Sequence, residues 1–459
     1  MLAYIIRRFL LMIPALLGIT LVVFTVMAAS PGGISAQSLI GGQNLEPEAK
    51  KALEDYYNKL YGLDSPPAIQ YLRWLNNISP IGFTHDSKTN TRRFSFWKEP
   101  NLGTSFHYGR PALDLLKERV PITLLLNILS LPLIYILAIT VGVHAATERG
   151  KAFDLSSSTL MLGLWSIPTM LAGILLIGFF ASNQYWHWFP TAGLSTREAL
   201  DMPFLPHWSS IYDVIQLFSA SAIGTIIGIG LALKTPRLLR SIILLGLGLG
   251  FGLWMTLSLP TPSIESAVFL GEILAITAGG LSYINHTGLR TGIMALLGAG
   301  TGLLMSTQWY SGEFIRGFLL DRLWHLILPV LCLTYGSFAF LAKLTRTAIL
   351  ENLMANYART ARAKGLAENM VLWNHVFRNS LLPLITVSAT LLPGLLAGSV
   401  IVESIFSIEG MGKLAVESVQ ARDRELVLSI TLISGLLTLL GYLIADICYA
   451  IADPRVSYD

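Results

Sequence analysis

The sequence predicts an all-α protein that crosses a membrane several times, and three observations carry that expectation. Apolar residues make up 53% of the 459 residues and charged residues only 13%, about half the charged share of a soluble domain. The mean hydropathy is +0.59. The apolar residues gather in runs of about 20, the length that spans a hydrocarbon core of about 30 Å. Helix-period patterning runs throughout, with no strand-like alternation and no solenoid repeat.

The first run, Phe9 to Ala29, follows a basic start and reads as a retained first helix with its N-terminus in the cytoplasm. Arg7, Arg8 and the small residues Ala28 and Ala29 also fit a signal peptide, but the run is longer than a usual leader core. Residues 30–120 are polar and read as an external region, with an amphipathic helix at Glu46 to Tyr61. Pro121 to Ala146 is the second span, with Pro121 at its start and Pro132 inside. A charged turn, Glu148 to Lys151, leads into the third, Phe153 to Ala181. Residues 121–193 thus form one core piece.

Residues 194–320 hold four further apolar runs: Val214 to Leu233, Ile242 to Leu259, Ala267 to Ile284 and Gly292 to Met305. The last two are marginal in length. Lys234, Arg237 and Arg240 lie between the first two runs, and His286 with Arg290 between the last two. Basic turns favour the cytoplasm, and an even number of spans puts both turns there. Glu265 and Glu272 lie near or within the third run, where an ionisable group marks either function or an interface. Gly246, Gly248 and Gly250 are expected to permit close helix packing. Residues 321–459 complete the chain with spans at Leu323 to Ala342, Leu381 to Val402 and Leu426 to Ala450.

Between the last three spans lie two unusual stretches. Within the loop 346–380, Arg359, Arg362, Lys364 and Arg378 face a single Glu368. Each such cation costs a few kcal/mol at bilayer centre, so the loop belongs in water on the cytoplasmic side. Tyr357 to Lys364 favours a helix ended by Gly365, where a left-handed cap is needed. Glu368 to Asn379 reads as a second helix, and Pro383 opens the next apolar run. The other stretch is Val402 to Leu414, where Gly410 and Gly412 suit a tight external turn.

Several classes are excluded or unsupported. The formal net charge of +4 is too small to imply nucleic acid. Cys332 and Cys448 fall in apolar runs and read as packing residues. Gly150-Lys151 and Gly412-Lys413 lack the upstream glycine and following hydroxyl of a phosphate loop. No His-Glu-x-x-His pair and no Gly-x-Ser-x-Gly elbow occurs. No catalytic residue and no metal ligand is therefore assigned.

The loop, the external stretch and several short motifs together resemble the permease subunits of ABC transporters, in the dipeptide/oligopeptide importer branch. Arg359-Thr360-Ala361 stands where other permeases carry an EAA triplet, and Leu382-Pro383 lies further downstream than in sugar permeases. Tyr4 to Arg8, Asn101 to Ser105, Phe189 to Gly193, His325 to Pro329, Val402 to Leu414 and Arg422-Asp423 carry the likeness along the chain. The resemblance implies six family-like helices, with about four inserted ones, and a cytoplasmic coupling helix that docks on an ATPase. Its residues are then Tyr357, Arg359, Thr360, Ala361, Arg362, Lys364, Gly365, His375, Arg378 and Asn379. The external re-entrant segment becomes a gate formed by Glu403, Phe406, Gly410 and Gly412.

The implied partners are a second homologous permease, one or two ABC ATPase subunits, an external substrate-binding protein and the lipid bilayer. The chain itself would hold no cofactor, with ATP and magnesium on the ATPases. It would be a multi-pass protein of a bacterial-type inner membrane with both termini cytoplasmic. Peptides are the default substrate, with nickel chelates or peptide-like antibiotics open. The competing expectation is a secondary transporter or another stand-alone polytopic protein. A secondary transporter calls for inverted repeats and paired intramembrane charges, and apart from Glu272 and Asp446 the spans carry few charges.

Overall fold

The computed structural model describes residues 2–30, 47–61, 63–86, 91–208, 211–257, 272, 287–306 and 314–452. It divides into two compact units: residues 1–194 with 325–459, and residues 195–324.

In the first unit, α1 (Leu2–Ala29) is a 28-residue apolar helix. The polar region after it holds α2 (Pro47–Tyr61) and α3 (Pro67–Ile78). Pro67 sits in the first turn of α3, where its missing N–H removes no bond. Tyr71 and Trp74 of α3 are buried with Phe24 of α1 and Leu428, and the Thr20 and Tyr71 hydroxyls lie 2.9 Å apart. The same region adds an antiparallel hairpin, β1 (Gly82–Asp86) with β2 (Thr91–Ser95), which the helical patterning did not foretell.

α4 runs over Ala112–Thr147 with Pro121 and Pro132 inside it. The expected start at Pro121 is therefore corrected: Pro111 caps the helix, and the Ala112 N–H donates to Gly103 O at 2.9 Å. The expected single span Phe153 to Ala181 is also corrected. It is broken into α5 (Ala152–Ser166) and α6 (Thr169–Leu176, continued by a wide turn at Ile177–Ala181), bent by 97°. Pro168 is the cause, because its ring pushes the preceding Ile167 into extended backbone.

The second unit holds α7 (Ile211–Lys234), α8 (Arg237–Leu257) and α9 (Thr287–Ser306). The two-residue strands β3 (His207–Trp208) and β4 (Phe314–Ile315) pair antiparallel. These helices cover three of the four expected inserted runs, and the run Ala267 to Ile284, apart from Glu272, lies with Glu265 outside the described residues. α7 and α9 touch backbone to backbone, since a Cβ on Gly224 would lie 2.0 Å from Gly298 O. Gly246 and Gly250 meet nothing within 4 Å. The expected packing role thus passes from those two to Gly224, Gly228, Gly298 and Gly302 among the described residues.

α10 (Gly317–Leu353) begins in the second unit and ends in the first, longer at both ends than the apolar run. Beyond it come α11 (Asn356–Ala363), α12 (Glu368–Met370), α13 (Arg378–Ile405), α14 (Met411–Gln420) and α15 (Arg424–Ala452). A π turn, Val371–Phe377, joins α12 to α13 without a break. The second loop helix therefore does not end at Asn379, and Pro383 lies within α13 instead of opening it. Among the described residues, five helices (α1, α4, α7, α10 and α15) are long and apolar enough to cross a membrane, and the bent α5–α6 pair makes a sixth. The core of the first unit joins Leu126, Leu328, Cys332, Val402 and Phe406 in one cluster and Ile134, Ala339, Leu341 and Leu384 in another.

Candidate functional site: a polar hairpin and a buried joint

Two polar constructions stand out in the first unit. The first is the hairpin of α11 and the π turn. Its inner face is made of small and apolar residues, because it lies flat on helices already packed together. Ala358 and Ala361 are buried with Val143 and Ala146 of α4, Ile349 of α10, and Val371 and Val376. Larger side chains at the two alanines would lift the hairpin off its bed. Its hinge is polar and internal. The Asn352 amide donates to Ser380 Oγ at 3.0 Å and its carboxamide oxygen accepts from the Tyr357 hydroxyl.

Gly365 follows the α11 cap residue Lys364 with φ +80°. That backbone conformation costs other residues on the order of 1 kcal/mol, so the expected glycine cap is what the chain adopts. Arg362 is spent within the hairpin: its Nε donates to Glu368 at 2.7 Å and its Nη1 to Leu353 O at 3.2 Å. Arg359, Lys364, His375, Arg378 and Asn379 are exposed, with the Asn379 side-chain amide donating to His375 O at 3.1 Å. Thr360 is exposed too, its hydroxyl donating to Asn356 O at 3.0 Å. Tyr357, Met370 and Trp373 are exposed on the same element. Cations interleaved with Met and aromatic side chains have the composition of a protein-binding surface rather than of a solvated loop.

Sequence reading missed the brace beside the hairpin. Asp154, in the first turn of α5, receives Nη2 of Arg346 on α10 at 2.8 Å and the Gly150 N–H at 2.9 Å. The signal was available: an Asp at a helix start and an Arg entering an apolar helix each call for a partner.

The second construction surrounds the turn after α13. Glu403 is fully buried, where a carboxylate is tolerated only with donors. It accepts the Thr123 hydroxyl at 2.6 Å and the Lys413 N–H at 3.0 Å. Thr123 in turn accepts the Met411 N–H at 2.8 Å. Gly410 and Gly412 were expected to allow a tight turn that side chains would block. Gly410 has φ −97°, and the left-handed residues of this stretch are Ser407 and Arg422. The glycines are needed for space. A Cβ on Gly410 would lie 2.4 Å from the Glu403 carboxyl carbon, and one on Gly412 2.6 Å from Val400 Cα. Phe406 is buried in the apolar core. Glu403 and Phe406 thus hold the segment from inside, while Ser404 and Ser407 stand exposed.

The same joint reaches the Asn101 to Ser105 motif. Asp423 is fully buried and accepts the Ser105 hydroxyl at 2.6 Å and the His107 N–H at 3.1 Å. Gly103 has φ +82°, and a Cβ there would lie 2.7 Å from Glu425 Oε2. Nearer the surface, Glu409 pairs with Arg119 and with Lys413 at 2.6 Å, and Tyr108 donates to Glu417 at 2.6 Å. Burial, then the hydrogen bond and charge of Glu417, push the Tyr108 phenol up to about 12. Thr123, Ser105, Tyr108 and Arg119 were not legible as partners, because each lies hundreds of positions from its acid. Among the described residues no group of three or more His, Cys, Asp or Glu is placed to hold a metal ion.

Residues 138–458 match the family model "Binding-protein-dependent transport system inner membrane component", and residues 1–127 match the N-terminal model of the same system. The chain is 30% identical over 460 aligned positions, covering all of both chains, to an oligopeptide transport system permease protein, AppB, of Bacillus subtilis. It is 26% identical to a di/tripeptide transport system permease protein, DppB, of Pseudomonas aeruginosa, covering 100% of this chain and 99% of the relative. An inner membrane ABC transporter permease protein, YejB, of Escherichia coli O157:H7 is also 26% identical, with the same coverage. With 70% or so of its length inside one family model, the chain belongs to the binding-protein-dependent transport system inner membrane components.

Proposed function

We propose that this chain is a permease subunit of an ATP-driven importer of peptides or peptide-like solutes, forming half of the transmembrane path beside a second, homologous permease. The observation that carries the reading is the hairpin: a cationic and aromatic face with its structural bonds satisfied internally. Its exposed Tyr357, Arg359, Thr360, Lys364, His375, Arg378 and Asn379 dock on an ATPase subunit, with Ala361, Arg362 and Gly365 shaping the element that presents them. ATP and magnesium are held by the ATPases, and an external binding protein delivers the solute. The segment Glu403 to Gly412 acts as the outer gate, with its buried residues as the fixed side of the joint. Both termini lie in the cytoplasm of a bacterial-type inner membrane, and residues 194–320 form additional helices outside the path.

The test is uptake. Proteoliposomes holding the whole complex should accumulate labelled di- to oligopeptides only with ATP inside and binding protein outside. Uptake by this chain alone, driven by an ion gradient, would overturn the reading in favour of a secondary transporter.

A further inference from the structure

The β1–β2 hairpin leaves one of its faces uncovered. Phe83 of β1 stands opposite Phe94 of β2, so the two share a face, and Phe96, two residues on, joins them. Their rings meet edge to face, with centroids 5.4 Å apart for Phe83 and Phe94 and 5.2 Å for Phe94 and Phe96. All three are exposed, Phe96 at 81%, and the neighbouring Trp97 is 79% exposed. The opposite face carries Thr84 against Arg93. An aromatic row of this size in water is uncommon on a soluble protein and marks contact with something apolar.

The hairpin is held to α3 at both ends. The Asn76 side chain donates to Phe83 O and accepts the Phe83 N–H, both at 2.9 Å. Past the second strand, the Lys98 N–H donates to Pro80 O and the Asn101 N–H to Asn77 O, each at 2.9 Å. α3 in turn is fixed where two spans end. Tyr71 and Trp74 share an apolar cluster with Phe24 and Ala28, near the close of the span Ile6–Ala29. The same cluster takes in Leu428, one turn into the span Arg424–Ile451, and Gln70 accepts Nη1 of Arg424 at 2.7 Å. Two helices thus put α3, and the hairpin it holds, at the level of the bilayer surface. The face of α3 turned away from them exposes Ile69 and Leu72, and Asn76 continues that stripe to Phe83.

Aromatic side chains, Trp above all, favour the boundary between headgroups and acyl chains, where an apolar body and a polar edge both find partners. The bilayer reaches this place along the exposed flank of α1, at Leu21, Val22 and Val26. A soluble partner that binds and leaves would return four rings to water between visits, whereas the bilayer covers them throughout. We propose that Phe83, Phe94, Phe96 and Trp97 form an anchor seated in the headgroup–acyl boundary of the surrounding phospholipid bilayer, with α3 setting its depth.

The experiment places a nitroxide on single cysteines of the full-length chain in phosphatidylcholine nanodiscs. Cys448→Ser removes the exposed native thiol, and Cys332 is buried. Collisions with oxygen, which partitions into lipid, are compared with collisions with a water-soluble nickel chelate. The oxygen-to-nickel ratio should be at least threefold higher at Phe96→Cys and at Trp97→Cys than at Thr84→Cys on the polar face. Equal ratios at the three positions assign the aromatic face to water or to a soluble partner and overturn the anchor. Low accessibility to both reagents reports burial against protein and overturns it too. Should the cysteine variants fail to insert, the unsubstituted chain in its complex is irradiated with a phospholipid carrying a diazirine near its headgroup. Crosslinks should fall on the segment Phe94 to Trp97, and their absence there contradicts the proposal.

Discussion

The hairpin of residues 356–379 and the buried joint of residues 403–425 use charge in opposite ways. In the hairpin, alanines face the helices and Arg359, Lys364 and Arg378 stand in water. In the joint, Glu403 and Asp423 are fully buried and ringed by donors. An exposed charge contributes at most about 1 kcal/mol to stability, so cations kept on the hairpin are free for a partner. A buried carboxylate whose donors are removed, or donors whose carboxylate is removed, costs several times that. Substitutions in the joint should therefore show in unfolding, and substitutions on the hairpin face in coupling.

The largest expected effect is at Glu403. Glu403→Ala leaves Thr123 and the Lys413 N–H without their acceptor in a buried site, at a cost on the order of 3 kcal/mol. Thermal unfolding of the purified protein reads this, and an unchanged midpoint would break the contrast. Gly412→Ala should follow at about 1–3 kcal/mol, because the new Cβ meets Val400 backbone in a packed core. Gly246→Ala, in open space, sharpens the comparison by costing nothing measurable.

Gly365→Val should cost on the order of 1 kcal/mol in the hairpin itself. The protein should stay in the membrane while ATPase docking weakens, read by co-purification of the ATPase subunit. The smallest effect is a pH dependence. The Tyr108 phenol is raised from about 10 to about 12, so the fold favours its protonated form. That contribution is fully present below the unfolded value near 10 and is lost as the pH rises through 12. Tyrosinate absorbance in the wild type should show one late-titrating group that Tyr108→Phe removes.

The spans and the hairpin were legible because they are local. Apolar runs set α1, α4 and α15, and a glycine after a short basic helix set the turn at Gly365. What the patterning missed depends on residues far apart in the chain. Nothing near Thr123 or Ser105 announces that each will hold a carboxylate roughly three hundred positions on. Pro168 was a visible breaker inside an apolar run, yet run length outweighed it and hid the 97° bend. Gly410 and Gly412 were legible as glycines of a tight turn, while the atoms that crowd them, at Glu403 and Val400, were not. Gly224 and Gly298 fit close packing as well as Gly246 does, and only the register of α7 on α9 decides which are used.

The contrast is tested most directly by reversing charge on the hairpin without touching its bed. Arg359→Glu with Lys364→Glu, in the assembled complex, should leave the unfolding midpoint within the range of neutral surface changes, about 0.5 kcal/mol. ATP hydrolysis stimulated by substrate-loaded binding protein should fall at least tenfold. Full stimulated hydrolysis in a complex carrying both substitutions would contradict the assignment of this face to the ATPase.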